Sequence, residues 1–92
     1  MADTVAAKAF TIKNELGLHA RVAAMLSSEA NRFKSKIFFE AGGTKADGES
    51  LLSILTIACP KGSVVTIEAR GEDAGDAVES LGRLIEDKFG ED

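Results

Sequence analysis

Two hydrophobic periods alternate along this chain, and that alternation leaves few folds open to it. Ser63 to Ala69 puts Val65 and Ile67 on one face and Val64, Thr66 and Glu68 on the other, the two-residue repeat of a half-buried strand. Directly after it, Gly71-Glu72-Asp73 opens a stretch in which Ala74, Ala77, Val78, Leu81, Leu84 and Ile85 trace one helical stripe. Acidic residues occupy its first turn and Gly90 stands at the expected C-terminal cap. Earlier, a loose Met1–Ala6 start precedes a strand over Lys8–Ile12, and Asn14-Glu15-Leu16-Gly17 breaks it. Val22, Met25, Leu26, Ala30 and Phe33 then fall at helical spacing, which predicts a helix over residues 20–33. Lys36–Glu40 reads as a strand, Gly42-Gly43 as a hairpin turn and Thr44–Asp47 as the return strand. Ser50 opens a brief helix through Leu51, Leu52, Ile54 and Leu55, ended by Cys59-Pro60-Lys61-Gly62.

The order is βαββαβα. It predicts an α+β open-faced β-sandwich, a four-stranded antiparallel sheet with three helices on one face, forming a single domain over residues 1–92. A chain of 92 residues buries roughly 60% or slightly more of its unfolded surface, so one core is what its length supports. Four large aliphatics within Leu51–Leu55 exceed what one face of a short helix can bury, so some are expected on the surface, where they would suit a protein partner; a helix wedged into the core is the alternative reading.

Composition narrows the function classes. A net charge of −4 and 5% aromatic residues argue against nucleic-acid binding, which draws on clustered cations and stacking rings. One cysteine, Cys59, cannot form an internal disulfide, and one histidine with one cysteine cannot supply a metal set, so no metal and no cofactor are expected. No apolar run approaches the roughly 20 residues of a membrane span, and residues 1–10 lack a signal-peptide pattern, which makes the cytoplasm the expected location. The Asp and Glu residues read as spread over surface faces rather than paired at one site, which disfavours an enzyme with its own pocket.

The chemistry concentrates in Gly17-Leu18-His19-Ala20-Arg21, where the only histidine stands at the start of a predicted helix beside a guanidinium. Helix N-termini present unpaired N–H groups and partial positive charge, which stabilise a phosphoryl group by roughly 0.3–1 kcal/mol at an exposed end. Imidazole is nucleophilic when neutral, and its phosphoramidate is labile enough to be passed on. A movable Arg21 supplies a second cation.

These residues resemble the HPr family, the histidine-containing phosphocarriers of the bacterial phosphoenolpyruvate-dependent sugar phosphotransferase system. The resemblance also rests on Ala23-Ala24, on Ser50, on Lys61-Gly62-Ser63 and on Gly71-Glu72-Asp73-Ala74, and spans nearly the whole chain. It implies that His19 takes a phosphoryl group on Nδ1 from enzyme I and gives it to an enzyme IIA domain, with Arg21 assisting. It further implies a partner-binding surface at Ala20, Leu51, Leu52 and Leu55, and a monomer. Ser50 corresponds to the serine that a dedicated HPr kinase/phosphorylase modifies in some bacteria, which links the family to a transcription regulator. Two departures stand out. Val22 replaces the usual proline after the arginine, a change that a helical first turn tolerates. Glu49 puts a like charge beside Ser50 and should disfavour a phosphate there. The alternative is a regulatory HPr-like binding module, of a nitrogen branch or controlled through Ser50, that acts on partner proteins. An unrelated ligand-binding or RNA-binding domain with the same element order is disfavoured by the composition.

Overall fold

The computed structural model describes residues 4–91. Its elements are β1 (Val5–Thr11), α1 (Ala20–Ala30), β2 (Lys36–Ala41), β3 (Thr44–Asp47), α2 (Leu51–Ile54), β4 (Val64–Arg70) and α3 (Ala74–Glu86). The strands form one antiparallel sheet in the order β1-β4-β2-β3, so the last strand of the chain lies between the first and the second. Register places Phe10 opposite Val65 and Phe39 opposite Ile67. These four side chains are buried, as are Ile37, Ala46 and Ala69 on neighbouring positions of the strands. The other face carries the exposed Val64 and the half-buried Thr66 and Glu68, as the two-residue period requires. Against the buried face pack Val22, Leu26 and Ala30 of α1, Ile54 of α2, and Ala77, Leu81 and Ile85 of α3. The result is the expected four-stranded antiparallel open-faced sandwich with three helices. No helix of the described residues is long and apolar enough to cross a membrane.

Three boundaries differ by more than one residue from the sequence reading, each for a local reason. β1 starts at Val5, inside the stretch read as a loose start. Val5, Ala6 and Ala7 are held by pairing with Arg70, Ala69 and Glu68 rather than by their own bulk. Thr4 precedes the strand, and residues 1–3 lie outside the described residues. α1 stops at Ala30 rather than at residue 33, because Asn31 caps it. The Asn31 Nδ2 donates to the Ser27 carbonyl at 2.7 Å and to the Glu49 carbonyl at 3.1 Å, ending the helix and tying it to the segment before α2. α3 ends at Glu86, four residues short of Gly90. The chain instead makes an extra left-handed turn, with φ of 56° at Lys88, 55° at Phe89 and 76° at Gly90. At the other end of α3 one acidic residue, Asp76, lies in the first turn. Asp73 caps no helical amide, and its carboxylate accepts from the backbone N–H groups of Lys34 and Ser35, each at 2.9 Å.

The loop between β1 and α1 is fixed by close backbone contact. Gly17 has φ of +67°, and a Cβ there would overlap the Cys59 carbonyl and meet Pro60 Cα at 2.9 Å. Leu18 N–H donates to that same Cys59 carbonyl at 2.9 Å. The glycine before the Leu-His pair is therefore a packing requirement, one that sets where α1 can begin. Gly17→Ala is expected to lower stability by roughly 2–5 kcal/mol, combining a left-handed backbone penalty with overpacking. An unchanged urea midpoint would contradict this.

Candidate functional site

His19 occupies the N-cap position of α1 in an extended conformation, with φ −104° and ψ 179°. Its carbonyl accepts the first helical hydrogen bond, from Ala23 N–H at 2.8 Å, but its ring caps nothing. Among the described residues, the amides of Ala20, Arg21 and Val22 have no hydrogen-bond partner. An eleven-residue helix thus presents free N–H groups and the positive end of its dipole beside the imidazole.

The ring is held from the far end of the chain. His19 Nε2 lies 2.8 Å from Glu91 Oε2, the Arg21 Nη2 donates to the same oxygen, and Asn14 Nδ2 donates to Glu91 Oε1 at 3.0 Å. Those three contacts, the Arg21 guanidinium first among them, hold the Glu91 carboxyl at a pKa of about 2, well below its ordinary 4.5. An ionised carboxylate can only accept, so the hydrogen shared with His19 is carried by Nε2. In the neutral ring Nδ1 then bears the lone pair. Among the described residues, Nδ1 makes no hydrogen bond.

Exposure sorts these groups by role. The His19 side chain is 28% exposed and Glu91 19%, whereas Arg21 is 54% exposed. A second Arg21 contact, Nη1 to the Met25 sulfur at 3.4 Å, is weak because a thioether is a poor acceptor. Asn14 is fully buried, and its Nδ2 also donates to the Gly17 carbonyl at 2.8 Å, so it braces the loop and the carboxylate together. Its Oδ1 is buried without a partner.

Ala20 is exposed beside His19. In α2, which packs against α1, Leu52 is 77% exposed, with Leu51 and Leu55 near 40%, while Ile54 is buried. The short helix thus divides as its composition implied, one large aliphatic inward and three outward. Leu16, 73% exposed in the loop before Gly17, is an apolar surface residue that the sequence pattern hid within a loop. Ser50 caps α2, its Oγ accepting from Ser53 N–H at 3.1 Å.

One acidic residue departs from the expected spread over surface faces: Glu91, alone among the carboxylates of the described residues, contacts His19 and Arg21. No motif spacing announces a contact between residues 72 positions apart. Asn14 was legible only as a loop residue for the same reason.

Residues 6–87 match the PTS-HPr family model, described as the PTS HPr component phosphorylation site. The phosphocarrier protein HPr of Cupriavidus necator is 40% identical over 81 residues, spanning 88% of this chain and 91% of that protein. The HPr-like protein Crh of Halalkalibacterium halodurans is 39% identical, spanning 86% and 94%. The crystal structure of HPr-C-His from Thermoanaerobacter tengcongensis superimposes with a TM-score of 0.86 at 37% identity, covering 100% of this chain and 99% of that one. Fold, site and matches together define a phosphotransferase-system phosphorylation-site domain. The chain belongs to the HPr family, in which HPr itself is a phosphocarrier and not a catalytic enzyme.

The Glu91 contacts give a pH dependence with a definite sign. A carboxyl whose pKa falls on folding adds stability above its unfolded value and loses it as pH falls through the folded one. The stability difference between wild type and Glu91→Gln should therefore be full above about pH 4.5 and shrink toward pH 2. Urea titrations across that window check this; a difference independent of pH would contradict it.

Proposed function

We propose that this protein is a phosphocarrier in which His19 accepts a phosphoryl group from phosphorylated enzyme I and delivers it to an enzyme IIA domain. The observation that carries this reading is the ring itself, with Nε2 engaged by Glu91 and Nδ1 unpaired, on the residue that caps the end of α1 where the amides are free. In the transfer the Nδ1 lone pair attacks phosphorus as the donor's phosphorus–nitrogen bond breaks, and the bonding electrons return to the donor nitrogen. Nε2 keeps its proton, held by Glu91. The free amides and the guanidinium of Arg21 stabilise the charge on the transferred oxygens. Transfer to the acceptor is the same step in reverse, with the acceptor's nucleophile attacking. Nothing in it requires a metal or a cofactor.

Partner docking follows from the exposed aliphatics, with Ala20, Leu51, Leu52 and Leu55 as its apolar centre. The cytoplasm is the location that suits a relay between a phosphoenolpyruvate-charged enzyme and its acceptors. For Ser50 we assign the capping role, since its Oγ already accepts from Ser53 N–H and the adjacent Glu49 carries a like charge that disfavours a phosphate. The resemblance to Crh supports a second reading, a regulatory binding module that uses the same leucines. The retained His19 and Arg21 favour the carrier.

Incubation with phosphoenolpyruvate and enzyme I, followed by intact mass, tests the proposal. Wild type should gain one acid-labile phosphoryl group, and His19→Ala none. Arg21→Ala should accept the group more slowly. Absence of uptake by the wild type with several enzyme I sources would overturn the carrier reading in favour of the regulatory one.

A further inference from the structure

No charged side chain occurs from Ser50 through Pro60, in a chain of which 28% of the residues are charged. Along that stretch Leu51, Leu52, Leu55, Ala58 and Pro60 are exposed, while Ile54, Ile57 and Cys59 are buried. The uncharged band does not end at Pro60, because the loop before α1 lies directly against it. A Cβ on Gly17 would overlap the Cys59 carbonyl and meet Pro60 Cα at 2.9 Å, and Leu18 N–H donates to that same carbonyl. Leu16, the residue before this contact, is 73% exposed and adds a further apolar surface position. The charges that border this end of the band, Glu15 and Lys61, are paired with each other. Single surface leucines are ordinary, but an uncharged apolar band that joins two segments distant in sequence is the composition of a contact face.

The transfer chemistry determines what covers this face. A phosphoryl group reaches His19 only when the donor protein brings its own phosphorylated side chain to bonding distance of the ring. Leu16 stands three residues before His19, so their Cα atoms are at most about 11 Å apart. A protein docked over the ring with an ordinary footprint of roughly 800 Å² covers a disc of about 16 Å radius, which takes in Leu16. We propose that Leu16 is a docking anchor for the phosphoryl donor, extending the donor's footprint from the α2 leucines across the Cys59–Pro60 segment to the loop before α1. The donor surface that fits is apolar and uncharged, since one built on carboxylates or on ammonium groups finds no counter-charge along the band. The inference rests on the carrier reading above and adds to it a contact residue and the chemistry of the surface that meets it.

Initial rates of transfer from enzyme I, with phosphoenolpyruvate in excess and uptake read by intact mass over a range of carrier concentrations, test it. Leu16→Ser should raise KM roughly fivefold or more while kcat stays within about twofold of wild type, the signature of a truncated interface side chain rather than of altered chemistry. Leu16→Met keeps the apolar bulk and should hold KM within about twofold of wild type. Val64→Ser removes an aliphatic that is 55% exposed on the open face of the sheet, and should leave both constants unchanged. The wild-type KM should change less than about twofold between about 0.05 and 0.5 M salt, as docking without charge pairs requires. An unchanged KM in Leu16→Ser, an equal loss in Leu16→Met or Val64→Ser, or a KM that climbs steeply with salt overturns the proposal. Failure of the wild type to take up any phosphoryl group is a different outcome, and it overturns the carrier reading together with this inference.

Discussion

The contact of Gly17 with the Cys59–Pro60 backbone governs the placement of everything chemical in this molecule. Because no side chain fits there, the loop after β1 lies directly on the segment after α2. Leu18 N–H is then captured by the Cys59 carbonyl, and α1 starts one residue after His19. Had the loop stood farther off, the histidine would not cap α1 with an extended backbone. Burial of Cys59, which pushes its thiol pKa up, belongs to the same contact and marks the residue as packing rather than chemistry.

On that frame the electrostatics are assembled from distant parts of the chain. Asn14 comes from the loop after β1, His19 and Arg21 from the head of α1, and Glu91 from the turn after α3. The carboxylate orders the other three: it takes the proton-bearing Nε2, leaves Nδ1 as the free nitrogen and restrains a guanidinium that is otherwise half exposed. The strong depression of its pKa records how completely the negative charge is matched. Site and fold are coupled here, since the same turn that buries Phe89 in the core delivers Glu91.

Elements with a strong, self-contained pattern were legible in the sequence. The α3 stripe and the alternation through β4 match the buried residues almost one for one, because each is decided by its own side chains facing one core. His19 and Arg21 were legible for a similar reason, being neighbours on one local motif. What sequence patterns missed depends on partners far along the chain. The first residues of β1 are small and gain their strand conformation from Arg70 and Glu68. The end of α1 is set by an Asn31 side chain that reaches Glu49. The Glu91 contacts exist because a left-handed turn follows α3, where Gly90 suggested only a helix cap. Glycine marked the unusual backbone correctly, but not that two residues before it would share it.

The central claim is that this fold presents one particular nitrogen of one histidine for phosphoryl exchange. A phosphorus–nitrogen correlation spectrum of the enzyme I-phosphorylated protein, labelled with ¹⁵N at histidine, tests that claim most directly. Coupling of phosphorus to Nδ1 of His19, with Nε2 still bearing its hydrogen, is the predicted result. Coupling to Nε2 would mean that the phosphoryl group displaces Glu91 and occupies its place, and would contradict the account.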